Sequence, residues 1–322
     1  MAENKLIAIG EALIDFIPQQ SGVSLKEVPG FIPKVGGAPA NVCGAFSKLG
    51  GNSMLLTKLG ADAFGDRIVD YLNENTIDVS HIIRTTQANT GLAFVSLAAD
   101  GNREFSFYRK PSADMLLAPE ELEEMWFDNT FALHFCSVDL IPCPMKEAHI
   151  KAIEIATQKG AIISFDPNVR FPLWESKEAL RQTILEFIPK AHILKISDEE
   201  LEFITGYSTI EEAKDILFSG NVQLVIFTKG GEGAEAHTNK IKVDIPSHKV
   251  KALDTTGAGD GFIGAFLYKL MVDGIVVDTL QTLTSEQLED YIRFAHRFCA
   301  YSVQQEGAIS SYPTLKIMNE YK

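Results

Sequence analysis

Positive charge is in short supply. Lys and Arg together number 29 against 43 Asp and Glu, a net charge of −14 over 322 residues. So acidic a surface repels nucleic acid and anionic membrane alike, and any cation needed for an anionic ligand must be placed locally. No run approaches the ~18 apolar residues of a membrane span. The opening MAENKLIAIGEALIDF has neither the basic segment nor the small-residue cleavage site of a secretory signal. Cysteine is scarce. Cys43, Cys136, Cys143 and Cys299 form no C-x-x-C pair and sit in apolar segments, which argues against a structural zinc site and for reduced, buried thiols in a cytoplasmic protein. There is no G-x-x-x-x-G-K-[ST], hence no P-loop, and no internal repeat or low-complexity stretch.

What is present is an ordinary globular composition, 46% apolar and 22% charged, long enough for two domains or one large α/β domain. Short apolar segments predict strands at Leu6–Gly10, Met54–Leu59, Phe131–Ser137, Ala161–Phe165, Ile193–Ile196 and Leu224–Thr228. Between and after them, amphipathic or apolar stretches predict helices at Ala38–Leu49, Met145–Lys159, Ser176–Phe187, Gly257–Val272 and Glu286–Gln304, with Ser197 capping a further helix over DEEL. Strand–helix alternation of this kind implies a mainly parallel, doubly wound sheet. Two segments break it. Residues 12–37 are extended and Gly/Pro-spaced, and residues 90–112 read as a hairpin turning through Ala99-Asp100-Gly101-Asn102. Together they predict a small antiparallel sheet, a lid inserted into the main domain. A third hairpin, Ala234–Val243, is expected within that domain.

The strongest chemical signal is Asp254-Thr-Thr-Gly-Ala-Gly-Asp260-Gly-Phe, followed by an apolar helix. Gly257, Ala258 and Gly259 open that helix, where backbone N–H groups lack internal acceptors and the dipole favours an anion. Asp260 falls in the same turn. The dipole is expected to keep it ionised and able to take a proton beside a phosphate, although a plain helix-capping acid fits the same position. Gly231-Glu-Gly233-Ala-Glu-Ala236 matches G-x-G-x-x-A after a strand, but the residues that follow alternate like a strand. A dinucleotide fingerprint needs a helix there.

The Asp254–Phe262 segment resembles the second signature of the PfkB/ribokinase family of carbohydrate kinases, and Gly36-Gly37-Ala38-Pro39-Ala40-Asn41 resembles the first. Gly10-Glu11-Ala12-Leu13-Ile14-Asp15, Leu59-Gly60-Ala61-Asp62-Ala63-Phe64-Gly65, Asp166-Pro167-Asn168-Val169-Arg170, Lys195–Glu200 and Thr228-Lys229-Gly230-Gly231 follow in the family's order, so the resemblance covers most of the chain. Within the family, the openings at 10–18, 105–114 and 166–174 are similar to bacterial and plant fructokinases. 2-Keto-3-deoxygluconate kinases share much of the pattern. Arg109 and Arg170 suit that acid sugar's carboxylate, whereas Phe107, in place of the Tyr those enzymes tend to carry, suits a neutral ketose.

The resemblance implies a ribokinase-like three-layer α/β/α fold, with ATP and Mg²⁺ as cosubstrate and metal. Asp15, Gly36, Gly37, Asn41, Phe107, Arg109 and Arg170 would bind sugar. Asp260 would be the general base, and Gly257, Ala258 and Gly259 the anion hole. Lys195, Ser197, Thr228, Gly230, Gly231, Gly233 and His296 would lie along the nucleotide. Glu200 would hold Mg²⁺ through water, although Ser197 stands where the family usually has Asn. Asp254 and Thr256 match a monovalent-cation (K⁺) site, and the lid is a surface at which such enzymes dimerise. Bland alternatives stay open for several residues: exposed acids at Asp15, Glu199 and Glu200, a helix cap at Asn41, surface ion pairs at Arg109 and Arg170, a core histidine at His296. A catalytically inactive sugar-binding homologue would carry much of the same pattern, but the intact Gly257, Gly259 and Asp260 speak against it.

Overall fold

The computed structural model describes residues 4–20, 22–97 and 103–321. Its centre is a nine-stranded sheet in the order 242–246, 233–237, 224–228, 193–197, 162–166, 130–136, 5–9, 52–56, 77–78. Every pairing is parallel except those of the hairpin Gly233–His237 and Lys242–Pro246, which closes one edge. The strands are buried on both faces. Along Lys5–Ile9, Leu6 and Ala8 enter one apolar layer while Ile7 and Ile9 enter the other, the two-residue period of a sheet covered on both sides. Helices Ala38–Lys48, Ala258–Val272 and Ser285–Ser302 pack in the first layer, and Pro144–Gln158, Lys177–Phe187 and Asp198–Thr205 in the second. This is the expected three-layer fold, with element ends within one or two residues of those read from sequence except at two places. The strand expected over Met54–Leu59 stops at Leu56, and Lys58–Gly60 pairs separately with Ile83–Thr85. The hairpin expected at 234–243 runs on to Pro246.

A helix not among those expected spans Ala63–Glu74, its buried face carrying Gly65, Ile68 and Leu72. Its start is fixed by Asp62, whose Oδ1 accepts from the amides of Phe64 and Gly65 at 3.1 and 2.9 Å and whose Oδ2 accepts from that of Thr90 at 2.8 Å. The Gly60–Gly65 motif is thus a clamp at the foot of the second sheet. That sheet has the order 31–36, 13–18, 92–97, 103–108. Its two hairpins are antiparallel, joined by a parallel pairing of 14–16 with 92–94. The turn expected at 99–102 lies outside the described residues. The sheet's own core is aromatic: Phe16 stacks on Phe94 at 4.6 Å, with Phe31 and Phe64 edge-on to Phe16.

Helices Ala38–Lys48 and Ala258–Val272 touch backbone to backbone. A Cβ placed on Gly264 would stand 2.7 Å from Ala45 Cβ and 2.9 Å from the Val42 carbonyl. Among the described residues no helix is long and apolar enough to cross a membrane.

Candidate active site

The order of the sheet reverses between strands 5–9 and 130–136, and in open α/β sheets ligands bind beyond the carboxyl ends of the strands at such a point. A cavity of about 800 Å³ lies there, lined by residues that follow or end successive strands: Glu11, Val138, Asp166, Ser197 and Thr228.

Two helices aim their first turns into it. Gly37, at φ 117°, starts the helix that carries Asn41, and a Cβ there would come within 2.4 Å of the Glu11 carbonyl, so only glycine permits this entry. Gly257, at φ 73°, starts the helix that carries Asp260. Because Gly264 lets the helices approach closely, Asn41 Nδ2 donates to Asp260 Oδ2 at 2.9 Å. Of the three amides expected to face an anion, that of Ala258 is engaged by the Thr255 carbonyl at 3.2 Å, the loop closing a tight turn before the helix. Gly259 is open: a Cβ there would meet only the end of Lys195, with Nζ at 3.5 Å.

Asp260 carries a raised pKa. Burial, with Asp166 adding to it, raises its pKa to about 6 against the Asn41 hydrogen bond and the charges of Arg170 and Lys195. Desolvation is the largest cause, and the carboxylate, still ionised at pH 7, becomes a stronger base.

The cavity brings together most of the predicted residues: Asp15, Gly37, Asn41, Phe107, Arg170, Lys195, Ser197, Glu200, Thr228, Gly230, Gly231, Gly233, Thr256, Gly257, Ala258, Gly259, Asp260 and His296. Three fall outside its lining. Gly36 acts through its missing side chain, since Asp15 Oδ2 lies 2.0 Å from where a Cβ would be. Asp254 accepts from the Thr256 amide and hydroxyl through one oxygen and from the Gly307 amide through the other, holding the loop closed. Arg109 is the substantive correction. Its guanidinium is buried and ion-paired with both Asp114 and Asp139, behind the cavity wall, because an unpaired guanidinium there would be far costlier than a paired one.

Several residues do work that spacing did not assign. Glu200 is buried, not a solvated first-turn acid; its oxygens accept from the Val169 and Ser197 amides, each at 2.9 Å, and Ser197 Oγ caps the same helix. A Cβ on Gly233, at φ 135°, would come within 2.3 Å of the Ile245 carbonyl, so the edge hairpin requires glycine there. His296 stands edge-on to Phe262, and burial lowers its pKa to about 4, keeping the imidazole neutral. Missed entirely were Glu11, Asp166, Cys299 and the segment 247–252 that lines the far side. Glu11 and Asp166 lay inside quoted motifs, but the 247–252 loop carried no signal.

Magnesium in phosphotransferases takes one or two carboxylates together with substrate phosphates. The donor set suits that arrangement. Asp166 Oδ1 is buried without a partner at the cavity wall beside Glu200, and among the described residues no group of three or more His, Cys, Asp or Glu is placed to enclose a metal by itself.

The buried acids also set stability. Burial and the nearby Asp139 charge raise Glu11 to about 8, and burial raises Asp139 to about 7 despite Arg109. The folded chain therefore keeps protons that the unfolded chain releases, a contribution lost as pH rises through those values. Buried His134 and His149, lowered to about 3 and 4, work oppositely, but only below their ordinary value of 6.5. Between about pH 6.5 and pH 8 these acids dominate, so the melting temperature is expected to fall over that interval. Differential scanning fluorimetry showing a flat or rising Tm would contradict this.

Known proteins resemble the whole chain. The profile described as "pfkB family carbohydrate kinase" matches residues 3–315. "Fructokinase-1" of Oryza sativa subsp. japonica is 42% identical over 318 residues, 97% of each protein. Fructokinase from Xylella fastidiosa with bound ATP superposes with a TM-score of 0.92 at 31% identity, over 99% of this chain and 98% of that one. Fructokinase from Vibrio cholerae O395 with fructose, ADP and calcium ion gives 0.87 at 29% identity, over 100% and 99%. Fold and resemblance agree from end to end, and the chain belongs to the pfkB family of ATP-dependent carbohydrate kinases.

Proposed function

We propose that this kinase phosphorylates fructose at its 6-hydroxyl, giving fructose 6-phosphate and ADP. The observation that carries the choice of sugar is the sequestration of Arg109. An acid sugar would call on a pair of arginines to clamp its carboxylate. Asp114 and Asp139 hold one of them away from the cavity, leaving Arg170 alone among the acids Asp15 and Asp260. The similarity to fructokinases, one of them holding fructose with ADP, supports the same reading.

In this reading, Asp15 and Asn41 take sugar hydroxyls, with Gly36 and Gly37 giving them room and Phe107 covering the ring. The sheet formed by 12–37 and 90–112 closes as a lid and excludes water, a competing phosphoryl acceptor. Asp260 receives the hydroxyl proton as the sugar oxygen bonds to the γ-phosphorus and the bond to the β-phosphate oxygen breaks. The first-turn amides and Arg170 face the charge on the transferring group. Neutral His296, Thr228, Gly230 and Gly231 flank the nucleotide, and Gly233 keeps their turn in shape. Glu200, through water, and Asp166 would hold Mg²⁺, which would supply charge neutralisation on the phosphates. A monovalent cation belongs at the Asp254–Thr256 loop. Ile32 and Tyr108, exposed on the lid, are where a second copy would pair, and sedimentation should show a dimer.

Coupled ADP release tests the sugar. The expected kcat/KM for fructose exceeds that for 2-keto-3-deoxygluconate by about tenfold or more, equal to ~1.4 kcal/mol, and Arg170→Met should lower kcat on fructose with little change in its KM. A tenfold preference for the acid sugar that Arg170→Met erases would make Arg170 a carboxylate ligand and the enzyme an acid-sugar kinase.

A further inference from the structure

We infer that Lys195 is a catalytic cation for phosphoryl transfer, its ammonium facing the transferring group at Gly259, and that Asp166 is the residue that positions it. This goes beyond a place along the nucleotide, and it rests on the anion-hole reading of the Asp260 helix.

Lys195 lies on strand Ile193–Ser197 and its side chain is 7% exposed. Its Nζ sits 2.8 Å from Asp166 Oδ2 and 3.5 Å from the position a Gly259 Cβ would take. An anion received at the Gly259 amide is therefore within direct reach of the ammonium. An ammonium has three donors, and Asp166 occupies one. The others are available to phosphoryl oxygens without breaking the ion pair. Asp166 is fixed in turn at the end of strand Ile162–Asp166 and is 2% exposed, so the ammonium is held in place before substrate arrives. Preorganised charge of this kind, in a site shut off from water, acts where negative charge develops. Arg170 differs: it is exposed, with Nη1 donating to the neighbouring Val169 carbonyl, so the cation fixed beside Gly259 is Lys195.

The test uses Lys195→Met, Asp166→Asn and the double variant, with fructose and ATP varied separately. Lys195→Met should lower kcat by about 10²–10³-fold, the usual cost of one charge-stabilising group, with the KM for fructose within about threefold of wild type. Asp166→Asn should lower kcat less. In the double variant no unpaired carboxylate is left buried, so turnover should stay as low as in Lys195→Met. It also carries the test where Lys195→Met alone fails to fold. Three results would overturn the assignment: near-wild-type kcat in Lys195→Met, a loss confined to the KM for ATP, or recovery of kcat in the double variant, which would reduce Lys195 to a counterion for Asp166. Asp260→Asn run in parallel separates the premises. If that variant stays active the anion-hole reading fails by itself; if it is dead while Lys195→Met is active, only the lysine is wrong.

Discussion

Asp260→Asn is expected to fold as the wild type does and to lose about 10²–10⁴-fold in kcat, the range for a positioned general base. The fold should survive because an asparagine oxygen can still accept from Asn41 Nδ2, the hydrogen bond that joins the two helix starts at 2.9 Å. What disappears is the proton acceptor. The wild type should report the same group through pH. The base must be ionised to act and its pKa is raised to about 6, so kcat/KM should fall tenfold per unit below that value and level off above it. Above neutrality activity would then hold level while stability falls. A well-folded Asp260→Asn enzyme with near-normal turnover, or a pH profile flat from 5 to 8, would remove Asp260 from the chemistry.

Gly259→Val is the second large effect. At Gly259 a side chain points toward open space and the end of Lys195, so the variant should fold, keep its affinity for fructose in calorimetric titration, and lose about 10²-fold or more in kcat by crowding the incoming phosphate. Gly257→Val looks equivalent in the sequence and is not. Its Cβ would strike Ala308 Cβ and Tyr312 Oη, each at 2.6 Å, in a backbone conformation at φ 73° that valine resists. That variant should lose stability first, with sugar and nucleotide binding lost together. Equal loss of both ligands in a folded Gly259→Val protein would mean that this helix start is scaffold as well.

The contrast between these two glycines shows where sequence reasoning stops. Apolar runs and punctuating glycines located the central strands and the helices at 38, 145, 177 and 258 because both faces of the sheet are covered and the period is plain. The helix at Ala63–Glu74 was not among those expected, although Gly65, Ile68 and Leu72 share its buried face and Asp62 caps it locally. The two signature motifs and the family resemblance they carry placed Asp15, Asn41 and Asp260 in one site. They could not show that Arg109, two residues from Phe107, faces away from it, since its partners Asp114 and Asp139 meet only in the folded chain. Nor could they show that burial raises the pKa of Asp260. Both are facts about burial, which depends on every neighbouring element at once.

The contact at Gly264 bears on how variants of this enzyme are sorted. That glycine touches no substrate and lies one helical turn beyond Asp260, about 6 Å along the axis. A side chain there would act as a wedge between helices Ala38–Lys48 and Ala258–Val272, prising Asn41 from Asp260 while leaving each residue intact. A screen for inactive clones would therefore collect hits at Gly264 and Ala45 that resemble active-site lesions in their kinetics and core lesions on a map. A compensating change on the opposite helix, trading volume across the seam, should revive them, which no second-site change could do for Asp260 itself.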